Sequence, residues 1–217
     1  MNGDFEQVRK ALEDSEKKYR TAFEYSGTGM MLIEEDMTVS LINQRLADFS
    51  GYTKDEVEGR RRWYEFVHEE DRPRMLENYR LRNADPQAGP PAEYEFRYVH
   101  RNGDVRNMLI NVGIIPGTRR RLVSLIDITE RKRMEQSVRE NERRYRDLFE
   151  NANDIIYTHD LQGTFVTVNT AGEQTYGYTR EELKKVNIRD IVDPAFLPVV
   201  LGKIKTKVEA GGTTGPY

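Results

Sequence analysis

The sequence contains no cysteine. Disulfides, thiolate zinc sites and thiol nucleophiles are thereby excluded, and a reducing, cytoplasmic location is expected. Long apolar runs are missing as well. No stretch nears the ~18 residues of a membrane-spanning helix. The opening "MNGDFEQVRKALEDSEKKYR" lacks the apolar centre of an export signal, so no membrane contact is expected. Nor does charge of one sign dominate. The 34 Lys and Arg stand against 37 Asp and Glu, a net charge of −3, and no global field favours nucleic acid. Histidines number three, and "HEED" after Val67 lacks the second histidine of a zinc-protease helix. Gly27 and Gly29 in "SGTG" lack phosphate-loop spacing and read as a tight turn. No Ser/His/Asp order or phospho-acceptor string is recognisable, so the residues make no case for catalysis.

What is present is a repeat. Among 217 residues, "EKKYRTAFE" (16–24) recurs as "ERRYRDLFE" (142–150), placing Tyr145 126 residues after Tyr19. The same offset, without a gap, aligns Asn43 with Asn169 and "GYTKDE" (51–56) with "GYTREE" (177–182). Each unit opens on a helix with heptad spacing: Phe5, Val8, Leu12, Ser15, Tyr19 and Ala22 in the first, Met134, Val138, Asn141, Tyr145 and Leu148 in the second. The seam Leu12, Tyr19, Val138, Asn141, Tyr145 and Leu148 suits pairing with a second copy. The other reading is an amphipathic helix packed on its own domain.

After the first helix, "GMMLIEED" (29–36) reads as a buried strand. "MTVSLIN" (37–43) alternates as a half-buried one, with Val39 and Leu41 inward. Thr53 with Glu56, and Thr179 with Glu182, match a helix-start capping box, so the hexapeptide has a structural explanation. "EEDRPRMLENYRLRN" (69–83) reads as a helix with Met75, Leu76 and Tyr79 inward, and 83–92 as a loop. "EYEFRYVH" and "DVRNMLINVGII" flank an "RNG" turn, and "RRLVSLIDIT" (120–129) is a last strand. Strands that cluster rather than alternate with helices predict α+β with an antiparallel sheet. The arginine clusters 60–62, 119–121 and 131–133 read as solvated faces rather than phosphate sites.

These strings, in this order, resemble the PAS family of sensor domains: Asn43, "GYTKDE", "FVHEEDR" (66–72), "YEFRYVHRNGDVRN" (94–107) and "DITERK" (127–132). The resemblance runs from residue 16 through both units. It implies a PAS fold, a five-stranded antiparallel sheet with helices on one face, in two copies joined by a long helix. The expected organisation is an N-terminal helix 1–24, a first PAS domain 25–129, a linker helix 130–150 and a second PAS domain 151–217. The second stops where the last three strands would follow, so the chain is expected to be part of a longer protein. It also implies a bacterial signalling protein, a histidine kinase or cyclic-dinucleotide enzyme, whose output domain lies elsewhere.

Family pockets hold nothing, haem, flavin or small metabolites, so the cofactor stays open. Cysteinyl-flavin photochemistry is excluded by composition. Haem is disfavoured because the helix 71–82 has no histidine, and His68 reads as a turn residue. Candidate pocket residues are Met31, Phe49, Trp63, Met75, Tyr79 and Leu125, which suit a small-molecule cavity or a filled core. Asn107 and Asn111 share one strand face, inward or outward. Asp127, Thr129 and Glu130 are expected to relay a signal into the helix, with Asp127 and Glu130 at capping-box spacing, Thr129 as the alternative cap, and Arg131–Arg133 opposing the helix dipole. The competing expectation is a passive dimerisation scaffold with filled cores.

Overall fold

The structure is a computed structural model that describes residues 2–84 and 89–209. The expected loop 83–92 falls partly outside them, the terminal "GGTTGPY" wholly, and the side chain of Phe5 is likewise outside. The chain divides into two units, residues 1–135 and 136–217.

Unit one opens with helix α1 (Asn2–Glu24), then strands β1 (Gly29–Ile33) and β2 (Val39–Ile42). Helices α2 (Gln44–Ser50) and α3 (Lys54–Val57) follow, then a 3-10 turn Trp63–Phe66 and helix α4 (Arg72–Ala84). Strands β3 (Glu93–Val99), β4 (Val105–Ile114) and β5 (Arg121–Asp127) complete an antiparallel five-stranded sheet in the order β2-β1-β5-β4-β3. Helix α5 (Thr129–Glu150) continues from the last strand.

The core lies on one sheet face. Met31, Ile33, Phe96, Tyr98, Met108, Ile110, Val123 and Leu125 project from the strands against Leu46, Val57, Met75 and Tyr79 of the helices. One expectation fails at β2. Its register shifts beside Ile33, so Val39 and Ile42 are buried while Leu41 faces outward. A bulge breaks the period of two on which alternation rests.

Gly29 is explained by packing rather than by a turn: a Cβ there would lie 2.2 Å from the Phe49 ring. Met37 takes a left-handed backbone, φ 73°, in the turn between β1 and β2. Gly163, its counterpart 126 residues on, takes φ 88°. The repeat thus extends to backbone geometry, with glycine at the position only in unit two.

Unit two has strands β6 (Tyr157–His159) and β7 (Phe165–Val168) and helices α6 (Thr170–Tyr176), α7 (Arg180–Leu183), α8 (Ile188–Ile191) and α9 (Leu197–Glu209). Among the described residues its sheet is two-stranded, and Phe165, Val168, Leu183 and Ile188 form a small core.

Candidate functional site

The joint between β5 and α5 is built from backbone pairing upward. β4 and β5 pair as far as Met108 opposite Asp127, and Ile128 N–H then donates to Asn107 O at 2.9 Å. The next bond leaves the backbone: Asn107 N–H donates to Thr129 Oγ1 at 2.9 Å. Thr129 N–H donates to Asp127 Oδ1 at 2.9 Å, and Arg106 reaches Asp127 Oδ2 at 3.3 Å. Thr129 and Ile128 are buried. The helix start is therefore stitched to the sheet by the hydroxyl of its own first residue. This corrects the expected capping box. Asp127 caps by accepting from Thr129, while Glu130 is exposed beside Arg106 and Arg133.

The basic cluster that follows is offset in the same place. Lys132 and Arg131 reach Glu95 of β3 at 2.5 and 3.3 Å. A carboxylate from the sheet thus supplies the negative charge that favours a helix N-terminus.

A second attachment recurs in both units. Asn43 is fully buried and all its hydrogen-bonding directions are used. Oδ1 accepts from Met30 and Leu46 N–H, and Nδ2 donates to Phe23 and Thr28 carbonyls, at 2.8–3.0 Å. Asn169 repeats this with Ile156, Gly172 and Asp154. Beside it, Glu24 at the end of α1 pairs with Lys54 at 2.5 Å and accepts Gln44 N–H at 3.1 Å. Glu150 at the end of α5 pairs with Arg180 at 2.8 Å and accepts the Thr170 hydroxyl at 3.1 Å. Hydrogen bonds from Lys54 and Arg180 hold the two carboxylates below their usual range. These pairs are absent from the sequence expectations, although the 126-residue offset relates Glu24 to Glu150 and Lys54 to Arg180.

Of the expected pocket residues, Met31, Trp63, Met75, Tyr79 and Leu125 gather in the unit-one core, with Phe49 packed against its edge. Asn107 and Asn111 do not join them. Met108 and Ile110 take the inward positions of β4, so the asparagines face the other side and Asn111 is exposed. One cavity of about 10 Å³ lies within this core, lined by Met31, Val39, Ile42, Leu46, Ser50, Val57, Phe66 and Tyr98. That is the room of roughly one water. His68 serves as a turn: its carbonyl accepts from Asp71 and Arg72 N–H. Among the described residues no His, Cys, Asp and Glu cluster could hold a metal, and no helix is long and apolar enough to cross a membrane.

Of the arginine cluster at 119–121, Arg119 and Arg120 form the expected solvated face and Arg121 does not. Arg119 pairs with Glu35 and Arg120 with Glu34, tying down the β1–β2 turn. Arg121, 3 % exposed, lies with its guanidinium 4.0 Å from the Tyr79 ring centre and donates to Asn83 Oδ1.

The expected seam residues are exposed: Leu12 and Tyr19 on α1, and Val138, Asn141, Tyr145 and Leu148 on α5. Tyr19, Ala22 and Phe23 also border an apolar groove of about 580 Å³ with Met30, Leu32 and Leu122 of the outer sheet face.

A family model described as PAS fold matches residues 39–129, and one described as PAS domain matches residues 143–207. The probable diguanylate cyclase DgcE of Escherichia coli (strain K12) is 32 % identical over 137 residues, 61 % of this chain. The match spans only 12 % of that relative's length. Among solved structures, the chain is similar to a sensory box histidine kinase/response regulator from Burkholderia thailandensis E264. That likeness is 20 % identical, covers 60 % of this chain and 99 % of the other, and has a TM-score of 0.46. The PAS domain of an HTR-like protein from Haloarcula marismortui is 24 % identical over 57 % of this chain and 99 % of that one, with a TM-score of 0.43.

Proposed function

The chain belongs to the PAS family, with one PAS unit matched in residues 39–129 and a second in 143–207, and on that premise we propose a dimerising relay segment of a longer cytoplasmic signalling protein. In this reading residues 1–24 are an N-terminal pairing helix, 25–129 and 151–217 are PAS domains, and 130–150 link them. The segment performs no catalysis itself. Its output domain, a kinase or a diguanylate cyclase like the relative, lies outside the chain.

The observation that carries the reading is the stitch of Asn107 N–H to Thr129 Oγ1. A change of register or tilt in β4 or β5 pulls directly on the first residue of α5. Asp127 holds the same residue through its backbone N–H. Glu130, without such a tie, acts only through the charge it places near the helix start. The signal must bind two arrangements of the sheet unequally, because a ligand with equal affinity for both moves nothing.

Two copies pair through the seams Leu12–Tyr19 and Val138–Leu148. These exposed apolar side chains recur at heptad spacing, and burying each against a partner is worth roughly 1.5–3 kcal/mol for a large aliphatic residue. The absence of native cysteine makes the test clean. A chain carrying Leu12→Cys has one thiol, and disulfides need Cα atoms about 4–7 Å apart. Mild oxidation is expected to give covalent dimers at Leu12 and at Val138→Cys, but not at Lys10→Cys. Equal yields at all three positions, or none, would refute the seam.

The competing reading, a passive dimerisation scaffold with a filled core, draws on the small core cavity. The space lined by Met31, Val39, Phe66 and Tyr98 has room for about one water and none for a large cofactor.

A further inference from the structure

Two arginines lie more than nine-tenths buried in unit one, Arg121 at 3 % and Arg82 at 6 % exposure. Buried charges are ordinarily matched by a counter-charge, since leaving one unmatched is strongly destabilising. Yet among the described residues neither guanidinium lies within 4.0 Å of a carboxylate oxygen. Arg82 donates to the Pro91 carbonyl and sits 5.3 Å from the Tyr94 ring centre. Arg121 donates to Asn83 Oδ1 and weakly to Arg119 O at 3.5 Å. The acids on the neighbouring β1–β2 turn are already committed, Glu34 to Arg120 and Glu35 to Arg119.

Two buried donors in this place have no partner at all among the described residues, Arg121 Nε and Trp63 Nε1. Both side chains lie against Tyr79: the Trp63 ring centre is 5.8 Å away and the Arg121 guanidinium 4.0 Å. Arg82 immediately precedes Asn83, which holds Arg121. Arg121 is the first residue of β5 and shares the inward parity of Val123 and Leu125. An unmatched guanidinium and two orphaned N–H groups thus lie against one side chain, Tyr79 of α4, where β5 begins.

The geometry points to a binding site for a small oxyanion, a carboxylate or phosphate group, held by Arg121 with the Trp63 indole N–H. A planar guanidinium with a free Nε–H offers the two-pronged donor edge that oxyanions accept. The site gives the relay reading an input of defined chemistry, because β5 runs directly from Arg121 to the joint at Asp127. Binding itself does not depend on that reading.

Trp63 is the chain's single tryptophan, so its indole N–H gives one resonance in a proton–nitrogen spectrum. The full chain is titrated with sodium acetate, succinate and phosphate, each against sodium chloride at equal ionic strength. At least one oxyanion is expected to shift the indole signal in a saturable way that chloride does not reproduce. The three titrations separate a mono-, a dicarboxylate and a phosphate. Arg121→Lys keeps the charge but loses the fork, and is expected to raise the half-saturating concentration at least tenfold while the indole signal stays dispersed as in a folded core. A drift equal for all four salts overturns the proposal, as does an undiminished response in Arg121→Lys. None of these outcomes touches the relay, which is read at Asn107 and Thr129.

Discussion

Glu24 and Lys54 form an ion pair of 2.5 Å across 30 residues of chain, and Glu150 and Arg180 repeat it at 2.8 Å in the second unit. Each pair joins the last turn of a heptad-patterned helix to the first residue of a short helix in its domain. The heptad-patterned helix and the domain are therefore latched in the same way twice. A double-mutant cycle with Glu24→Gln and Lys54→Met is expected to give a coupling of about 0.3–1 kcal/mol, the range for partly exposed pairs. Urea unfolding measures it; a coupling of zero removes the latch.

The pair also sets a sign for pH. Glu24 is held below its ordinary value of about 4.5, chiefly by the Lys54 hydrogen bond. A carboxyl lowered in the folded state contributes stability above its unfolded pKa and loses it as pH falls through the folded one. Protection of the amides of residues 20–24, corrected for the intrinsic exchange rate, is expected to fall below about pH 4.5 in the native chain. In Glu24→Gln that extra acid sensitivity is expected to vanish.

Asn43 makes the larger contribution to the same region. Its replacement by alanine removes a helix cap and leaves the Met30 N–H and two carbonyls without their partner. A loss of about 2–3 kcal/mol is expected from an unmet buried group plus a lost cap. Denaturant titration of Asn43→Ala measures it. A cost no greater than that of an exposed helix position would mean that α1 is not anchored through this side chain.

Gly29 gives a steric test. A methyl group there would meet Phe49 at 2.2 Å, far inside contact distance. Gly29→Ala is expected to lower the thermal midpoint, and Phe49→Leu in the same chain to restore part of the loss. No rescue would mean that the clash is relieved by backbone movement instead.

The repeat makes much of this arrangement legible in the amino-acid sequence. The offset of 126 relates both capping boxes, the paired asparagines and both helices, because these are local patterns with local causes. What stays hidden depends on register across strands. The bulge beside Ile33 turns Leu41 outward, and no spacing within β2 announces it. The inward set of β4 is Met108 and Ile110, which turns Asn107 and Asn111 to the other face. Arg121 follows two solvent-exposed arginines, so composition conceals that the strand's inward parity begins with it. Thr129 is marked by its neighbourhood, but its hydrogen-bonding partner on β4 lies 22 residues away.

The central claim is that the helix start is held by the sheet through Thr129. Thr129→Val keeps the shape of the side chain and removes the oxygen that Asn107 N–H donates to at 2.9 Å. Amide hydrogen exchange resolves the outcome residue by residue. The account predicts that Asn107 and residues 129–133 exchange at least tenfold faster, while Val123 and Leu125 in the core keep their protection. Unchanged exchange at Asn107 and the helix start would contradict it.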